Sequence, residues 1–213
     1  TKELGLEDVK VFLGVYIGEP EELTQTTRRF IPINDVYKLQ ALCNELDDEP
    51  RWLVALISDT GMRLSEAAGL IVEDIKLDCP HPHILLRTHP WRRLKTQSSE
   101  RIVPLVDASL WAAKRASETT SNMFLFPRYC DESRCKGNSA SAALNKWHSS
   151  RVPPGCVVHS FRHSYRDRLR AVECPPDIID RLGEWSIGGV GEAYGDGYPL
   201  DVLMRWAKNI LKN

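Results

Sequence analysis

The sequence predicts one mainly helical domain of the α+β class, in which long helices surround a few short strands. Two observations support this prediction. Apolar residues recur with helical spacing over most of residues 34–211, whereas short apolar runs of the strand type are confined to residues 71–105. The chain has 213 residues, of which 42% are hydrophobic and 27% charged, and such a chain can bury a single sizeable core.

Two helices are predicted before residue 61. Over residues 34–46 the apolar positions return about once per turn, and Asn34 or Asp35 can cap the first turn. Pro50 suits the first turn of a second helix, and Gly61 is suited to end it.

Three strands are predicted next, over residues 71–77, 83–87 and 101–105, because short apolar runs there are bounded by turn residues. The last two strands would form a hairpin whose loop covers residues 88–100. Further helices are predicted over residues 107–117, 139–147, 159–172, 175–183 and 200–211. In the helix over residues 159–172, Phe161, Tyr165 and Leu169 would form the buried side.

Composition excludes several classes of protein. No apolar run approaches the ~20 residues of a membrane helix, and the six cysteines form no paired motif, so a cytoplasmic protein with reduced thiols is expected. The net charge is −1, which is unusual for a nucleic-acid binder. Positive charge is nevertheless concentrated in residues 87–101 and 151–170, which can form a local basic face.

Cys79, His81, His83 and His89 have the side chains of a zinc site, but their spacing matches no established metal pattern. Prolines between them make a shared helical face unfavourable. The sequence therefore predicts no metal site.

The last quarter of the chain contains side chains suited to phosphate chemistry. His159 and Arg162 are three residues apart, which places both on one side of a helix. Trp185 follows, and Tyr194 comes nine residues later in a glycine-rich segment. An arginine grips phosphate oxygens as a fork, an indole N–H adds a neutral donor, and a tyrosine hydroxyl can attack.

An earlier segment adds a second arginine. In Thr60-Gly61-Met62-Arg63 the glycine permits a tight turn, from which Arg63 would emerge at a helix start that favours an anion. Glu66 lies three residues on and can hold the guanidinium. Alone, such a pair is typical of any helix surface; with the later residues it indicates a phosphate site.

The hairpin loop supplies a lysine. The Lys95 ammonium can donate a proton, which an arginine guanidinium cannot. Arg92 and Arg93 are its rivals on the same loop and are better suited to phosphate contacts, as is Arg166 on the helix that begins near residue 159.

Taken in order, these residues resemble the signature of the tyrosine recombinases, or phage integrase family, over most of residues 31–198. The matched positions are Arg63, Lys95, His159, Arg162, Trp185 and Tyr194. Most members have histidine where Trp185 stands, so the chain resembles a tryptophan variant. It reads Leu-Gly-Glu-Trp at this point, and the nine-residue step to Tyr194 favours Trp185 over Glu184. Tyr198 is a competing nucleophile, which the spacing disfavours.

The resemblance implies a helical catalytic domain with a small antiparallel sheet over residues 31–198. Residues 1–30 would be a linker or the edge of a missing N-terminal domain. Residues 199–213 would form an amphipathic helix that packs on its own domain or docks on a neighbouring protomer. The implied partner is double-stranded DNA at a specific recombination site, bound by a homotetramer on synapsed DNA that is monomeric when free. No membrane, cofactor or metal is implied.

The resemblance also implies the reaction. Tyr194 would attack DNA to give a 3′-phosphotyrosyl intermediate, Arg63 and Arg162 would stabilise the phosphate charge, and Trp185 would donate a hydrogen bond. His159 and Lys95 would transfer protons, and Glu66 and His163 would support them.

The biological role is left open between integrase, excisive recombinase, resolvase and transposon recombinase. Two alternatives differ more deeply: relaxation of DNA by a type IB topoisomerase, and a non-catalytic DNA-binding module that retains the fold.

Overall fold

The structure is a computed structural model that describes residues 29–94, 99–185 and 197–212. In these residues it contains eight α-helices and three short strands. The helices are α1 (Ile33–Leu46), α2 (Glu49–Ser58), α3 (Leu64–Ala68), α4 (Asp107–Thr119), α5 (Gly137–His148), α6 (Ser160–Ala171), α7 (Pro176–Gly183) and α8 (Leu200–Asn209). The strands are β1 (Ile75–Lys76), β2 (His83–Leu86) and β3 (Arg101–Pro104). None of the described helices is long and apolar enough to cross a bilayer.

Helix α2 forms the centre of the larger core, between α1 and α4. Its first turn is fixed by Asp48, whose carboxylate accepts the Arg51 N–H over 3.2 Å, and by Pro50 in the first turn. The side chains from Trp52 to Ser58 are all buried. A helix that is apolar all round must be enclosed by others, which is the position that α2 occupies.

The three strands form an antiparallel sheet in the order β1-β2-β3, with Leu86 opposite Arg101 at the loop end of the β2-β3 hairpin. The strand predicted over residues 71–77 is shorter than expected. Only β1 is extended there, and a 3₁₀ turn over Val72–Asp74 precedes it. This turn directs the Asp74 carboxylate inward to Arg87 and His89, which an extended strand would not do.

A second, smaller core joins the last three helices. Tyr165 and Leu169 of α6 pack with Leu182 of α7 and Leu203 of α8. The amphipathic pattern of residues 200–211 allows the C-terminal helix to pack either on its own domain or on a neighbour. In the structure, the apolar side of α8 is covered by its own chain.

Candidate active site

The turn after α2 places the first arginine. Gly61 has a φ of +61°, and a Cβ atom there would lie 2.5 Å from the Tyr165 ring, so both the backbone and the packing require glycine. Arg63 follows as the N-cap of α3. Its Nη1 donates to Glu66 Oε1 over 2.6 Å, and its backbone N–H donates to Glu66 Oε2 over 3.0 Å. The pair predicted from the spacing is present.

Arg162 enters the same site from the first turn of α6. Its Nη1 donates to the Gly61 carbonyl over 2.6 Å, and its Nη2 donates to the Glu184 carbonyl over 3.1 Å. Burial, and then the neighbouring Arg63 charge, lower the pKa of Arg162 to about 10, which still leaves it protonated at neutral pH. Two arginines that are far apart in sequence therefore meet around one turn.

The indole ring of Trp185 lies against the guanidinium of Arg162. The Arg162 guanidinium carbon is 4.8 Å from the centre of the indole, and that of Arg166 is 5.4 Å away. Arg166 also pairs with Asp180 of α7 over 3.4 Å. Gly183 makes room for the ring, because a Cβ atom there would overlap it at 1.9 Å. A stacked cation over tryptophan stabilises both groups where water is excluded.

Glu66 joins Arg63 to a further arginine, which in the sequence is only one member of the basic stretch over residues 87–101. Arg101, at the start of β3, is 4% exposed and donates to Glu66 Oε2 over 2.9 Å. Burial alone would raise the pKa of Glu66, but Arg101 and then Arg63 lower it below the ordinary value. A signal for Arg101 existed in the strand alternation, since it falls on the same inward side of β3 as buried Val103.

Glu184 is a second carboxylate of the site, although the spacing to Tyr194 favours its neighbour Trp185. Its carboxylate accepts hydrogen bonds from Arg63 and from the Ser99 hydroxyl, and lies 3.9 Å from Arg101 Nη1. Burial alone would raise the pKa of Glu184, but Ser99 and Arg63 lower it, so the group is ionised at neutral pH. The structure thus divides the Glu-Trp pair: Glu184 meets Arg63, and Trp185 meets Arg162.

The two histidines lie at the start of α6. His159 is exposed at the N-cap, and its ring centre is 5.4 Å from that of His163 in an edge-to-face arrangement. The predicted helix is confirmed within one residue at each end, and Phe161, Tyr165 and Leu169 are buried along it as expected.

Arg92 was expected at a DNA phosphate, but the structure places it inside the protein. It is 3% exposed, donates to the Glu66 carbonyl over 2.7 Å, and also donates to the Arg87 carbonyl. Its guanidinium is thus engaged with the backbone beneath α3. Arg93, the next residue, is exposed. Only Arg93 of the two therefore presents a charge at the surface.

Lys95 and Tyr194 lie outside the residues that the structure describes. Tyr198 is described, and its hydroxyl donates to the Asp177 carboxylate at the start of α7. Glu184 and Trp185 follow the other end of that helix. Asp177 and Glu184 are seven residues apart, about 10 Å of helical rise, so the Tyr198 hydroxyl contacts the opposite end of α7 from the carboxylate that meets Arg63.

Metal ligation has no support in the described part of the chain, where no group of three or more His, Cys, Asp or Glu side chains could hold an ion. Of the residues considered from sequence, Cys79 Sγ lies 3.8 Å from His83 Nδ1, but His83 Nδ1 also lies 2.7 Å from the His81 carbonyl oxygen.

Comparison with known proteins identifies the fold and the family. The chain is similar to the integrase of transposon Tn1549 in complex with circular intermediate DNA, with a TM-score of 0.55 at 16% identity over 84% of this chain and 62% of that one. It is also similar to the XerH site-specific recombinase bound to palindromic difH, with a TM-score of 0.51 at 16% identity over 87% of this chain and 52% of that one. The chain therefore spans roughly half to two-thirds of these solved structures.

A resolvase of Escherichia coli is 26% identical over 196 residues, which are 79% of this chain and 74% of the resolvase. The model of the phage integrase family matches residues 29–196, which contain the buried arginine site. This match covers most of the chain, and the helical fold with its three-stranded antiparallel sheet is that of the solved recombinases. The chain belongs to the phage integrase family.

Proposed function

We propose that this protein is a site-specific DNA recombinase that cuts and rejoins DNA through a 3′-phosphotyrosyl intermediate. One observation supports this above all. Arg162, which is 99 residues after Arg63 in sequence, donates to the carbonyl of Gly61 in the turn that precedes Arg63, and the Arg63 charge lowers the pKa of Arg162. Two fixed arginine forks suit a phosphodiester, because they can neutralise both non-bridging oxygens.

The chemistry assigns one task to each group. The Tyr194 oxygen attacks phosphorus, the bond from phosphorus to the 5′ oxygen breaks, and the new phosphotyrosyl ester retains the energy for rejoining. A free tyrosine has a pKa of about 10, so His159 assists removal of its proton. Lys95 returns a proton to the leaving 5′ oxygen.

Two residues keep the arginines in position, and a third supports His159. Glu66 holds Arg63, and Trp185 supports Arg162 by stacking, while its indole N–H is the proposed additional donor to the phosphate. His163 supports His159 through their ring contact. Arg93 and Arg166 are proposed to contact flanking phosphates, whereas buried Arg92 is withdrawn from that role.

The proposed partner is double-stranded DNA, bound as a homotetramer when two sites are synapsed. Two solved structures to which the chain is similar are DNA complexes, one with circular intermediate DNA and one with palindromic difH. Synapsis distinguishes recombination from the topoisomerase alternative, because only the former joins strands of two duplexes.

The test is a suicide-substrate assay on a nicked duplex that carries the recombination site, in which cleavage releases a short fragment and traps the covalent intermediate. Unaltered protein is compared with Tyr194→Phe and, as a matched control, Tyr198→Phe. We expect a denaturant-resistant protein–DNA adduct with the unaltered protein and Tyr198→Phe, and none with Tyr194→Phe, which lacks the attacking oxygen.

Other outcomes contradict specific parts of the proposal. Loss of the adduct only in Tyr198→Phe would identify Tyr198 as the nucleophile. The nine-residue spacing on which the role of Trp185 rests would then no longer apply. Binding of the duplex without an adduct from any of the proteins would favour the non-catalytic DNA-binding module. Relaxation of one supercoiled circle without joining of two duplexes would favour the topoisomerase.

A further inference from the structure

The Glu184 carboxylate lies where the site would be expected to receive an anion from its substrate. We propose that this carboxylate holds the place of a DNA phosphate on Arg63, so that a phosphate must displace it in order to bind. The proposal rests on the proposed function, because it concerns how the same arginine site takes DNA. Its consequence is that Glu184 sets the affinity for DNA below what the arginines alone would give.

The contacts of Glu184 are those of a bound phosphate. One oxygen accepts from Arg63 and lies 3.9 Å from Arg101 Nη1, and the other accepts from the Ser99 hydroxyl. Its side chain is only 5% exposed. Two guanidinium groups and a hydroxyl around a buried pair of oxygens form a typical oxyanion site, and here the oxyanion belongs to the protein.

The Glu184 carboxylate is not needed to position Arg63 and Arg101, because Glu66 already holds both. Glu66 accepts from the Arg63 side chain over 2.6 Å and from Arg101 over 2.9 Å, with its carboxyl 3% exposed. Since Arg63 already has Glu66 as its carboxylate partner, Glu184 is a second carboxylate that competes for Arg63. The three arginines of the site, Arg63, Arg101 and Arg162, retain a net charge of +1 against the two carboxylates, and of +2 without Glu184.

The backbone of Glu184 is fixed by hydrogen bonds, whereas its side chain can rotate away from Arg63 and leave room for a phosphate. Glu184 ends α7 in the left-handed region, with φ of 55°, where its N–H donates to the Asp180 carbonyl over 2.6 Å and its carbonyl accepts from Arg162. A non-glycine residue held in this region by its surroundings is typical of functional sites. Rotation of the side chain alone would release Arg63, without a change in the bond to Arg162.

The test measures DNA affinity apart from chemistry. Binding of the 213-residue chain to a fluorescent duplex of about thirty base pairs is followed by anisotropy. Any duplex serves, because phosphate contacts do not depend on sequence, and several salt concentrations are used, because such contacts weaken as salt rises. Glu184→Gln retains the shape and the acceptor for Ser99 but removes the charge. We expect it to bind about tenfold more tightly, as befits the loss of one competing charge-assisted hydrogen bond.

Glu73→Gln is the matched control. It removes the same charge from a carboxyl that is 82% exposed and 3.8 Å from Arg87. Its affinity should stay within about twofold of the unaltered chain, since an exposed charge is screened. Equal tightening by both variants would mean that only the total charge matters, and would overturn the proposal. Unchanged or weaker binding by Glu184→Gln would also overturn it and would make Glu184 a structural brace.

Two further measurements decide the remaining cases. If Glu184→Gln fails to fold, Ser99→Ala removes one hydrogen bond to the carboxylate without changing any charge, and it should also tighten binding by a smaller factor. No tightening in folded Ser99→Ala would then reject the proposal. A covalent adduct from the unaltered chain together with unchanged binding by Glu184→Gln would reject this inference alone, whereas duplex binding without any adduct would reject the recombinase chemistry alone.

Discussion

At the scale of the single residue, Arg162 combines a charge with a shape that no other side chain reproduces. Its fork reaches the carbonyls of Gly61 and Glu184 while its flat face lies on Trp185. A lysine retains the charge but has neither the fork nor the planar face. The position therefore depends on the guanidinium, and charge alone does not suffice.

We predict that Arg162→Lys lowers the rate of covalent adduct formation by about 10²–10³-fold, as expected for the loss of one fixed donor to the developing charge. Single-turnover cleavage of the nicked duplex measures this rate. Arg170→Lys is the control on the same helix, because Arg170 is exposed and pairs only with Asp167 in the described structure, over 3.2 Å. Cleavage by Arg162→Lys within twofold of that control would show that charge is sufficient.

Contacts within one turn of a helix could be predicted from residue spacing, whereas contacts that depend on the tertiary structure could not. Residue spacing predicted that Arg63 would meet Glu66, since both belong to one turn. It did not predict that Glu184 would reach Arg63, because the left-handed backbone at Glu184 and the position of α7 depend on the whole fold. Arg92 was misplaced for a related reason: a charged residue in a predicted loop is normally exposed, but here the Asp74 carboxylate lies 3.9 Å from it inside the protein.

At the scale of the element, the turn that joins α2 to α3 connects the core to the site. Helix α2 could be predicted from its proline and its apolar run, whereas β1 could not be delimited, because the inward Asp74 interrupts the expected strand. The turn itself depends on Gly61, which has a positive φ and contacts the Tyr165 ring. Any side chain there must displace both the backbone and the ring.

We predict that Gly61→Ala lowers the free energy of unfolding by about 2 kcal/mol or more, from the left-handed backbone and the steric overlap together. Urea denaturation measures this difference. Gly137→Ala is the matched control at the start of α5, where a Cβ atom would lie 3.5 Å from the Ser65 Cβ, an ordinary contact. That variant should be neutral or more stable by about 0.5 kcal/mol, since it restricts the unfolded chain. Equal losses in the two variants would refute the steric account of Gly61.

At the scale of the whole molecule, α8 closes the smaller core from the outside. Leu203 is 2% exposed and packs with Tyr165 and Leu169, and Met204 packs with Val106. This helix therefore contributes to the stability of the same chain that contains the arginine site. The amphipathic pattern predicted the helix, but a pattern of one apolar side cannot specify whether its own chain or a partner covers that side.

We predict that Leu203→Ala destabilises the isolated protein by about 2–4 kcal/mol, as is usual when a buried leucine is truncated. The midpoint of thermal unfolding should fall, and it should not depend on protein concentration, because the contact lies within one chain. Arg205→Ala is the control, since its side chain is exposed on the same helix. A midpoint that rises with protein concentration in the unaltered chain would instead indicate that α8 is exchanged between protomers.

The ring of Tyr165 has a consequence for how this protein can change over evolutionary time. It fills the space against Gly61 on one side and lies 6.3 Å from the Trp185 ring on the other, and Trp185 in turn fills the space above Gly183. These four positions are tied together as one steric unit, although they are scattered over more than half of the sequence. A larger residue at either glycine requires a smaller neighbouring ring, and at Gly61 it must also adopt the left-handed backbone, so Gly183 is the position more open to substitution paired with that of its ring.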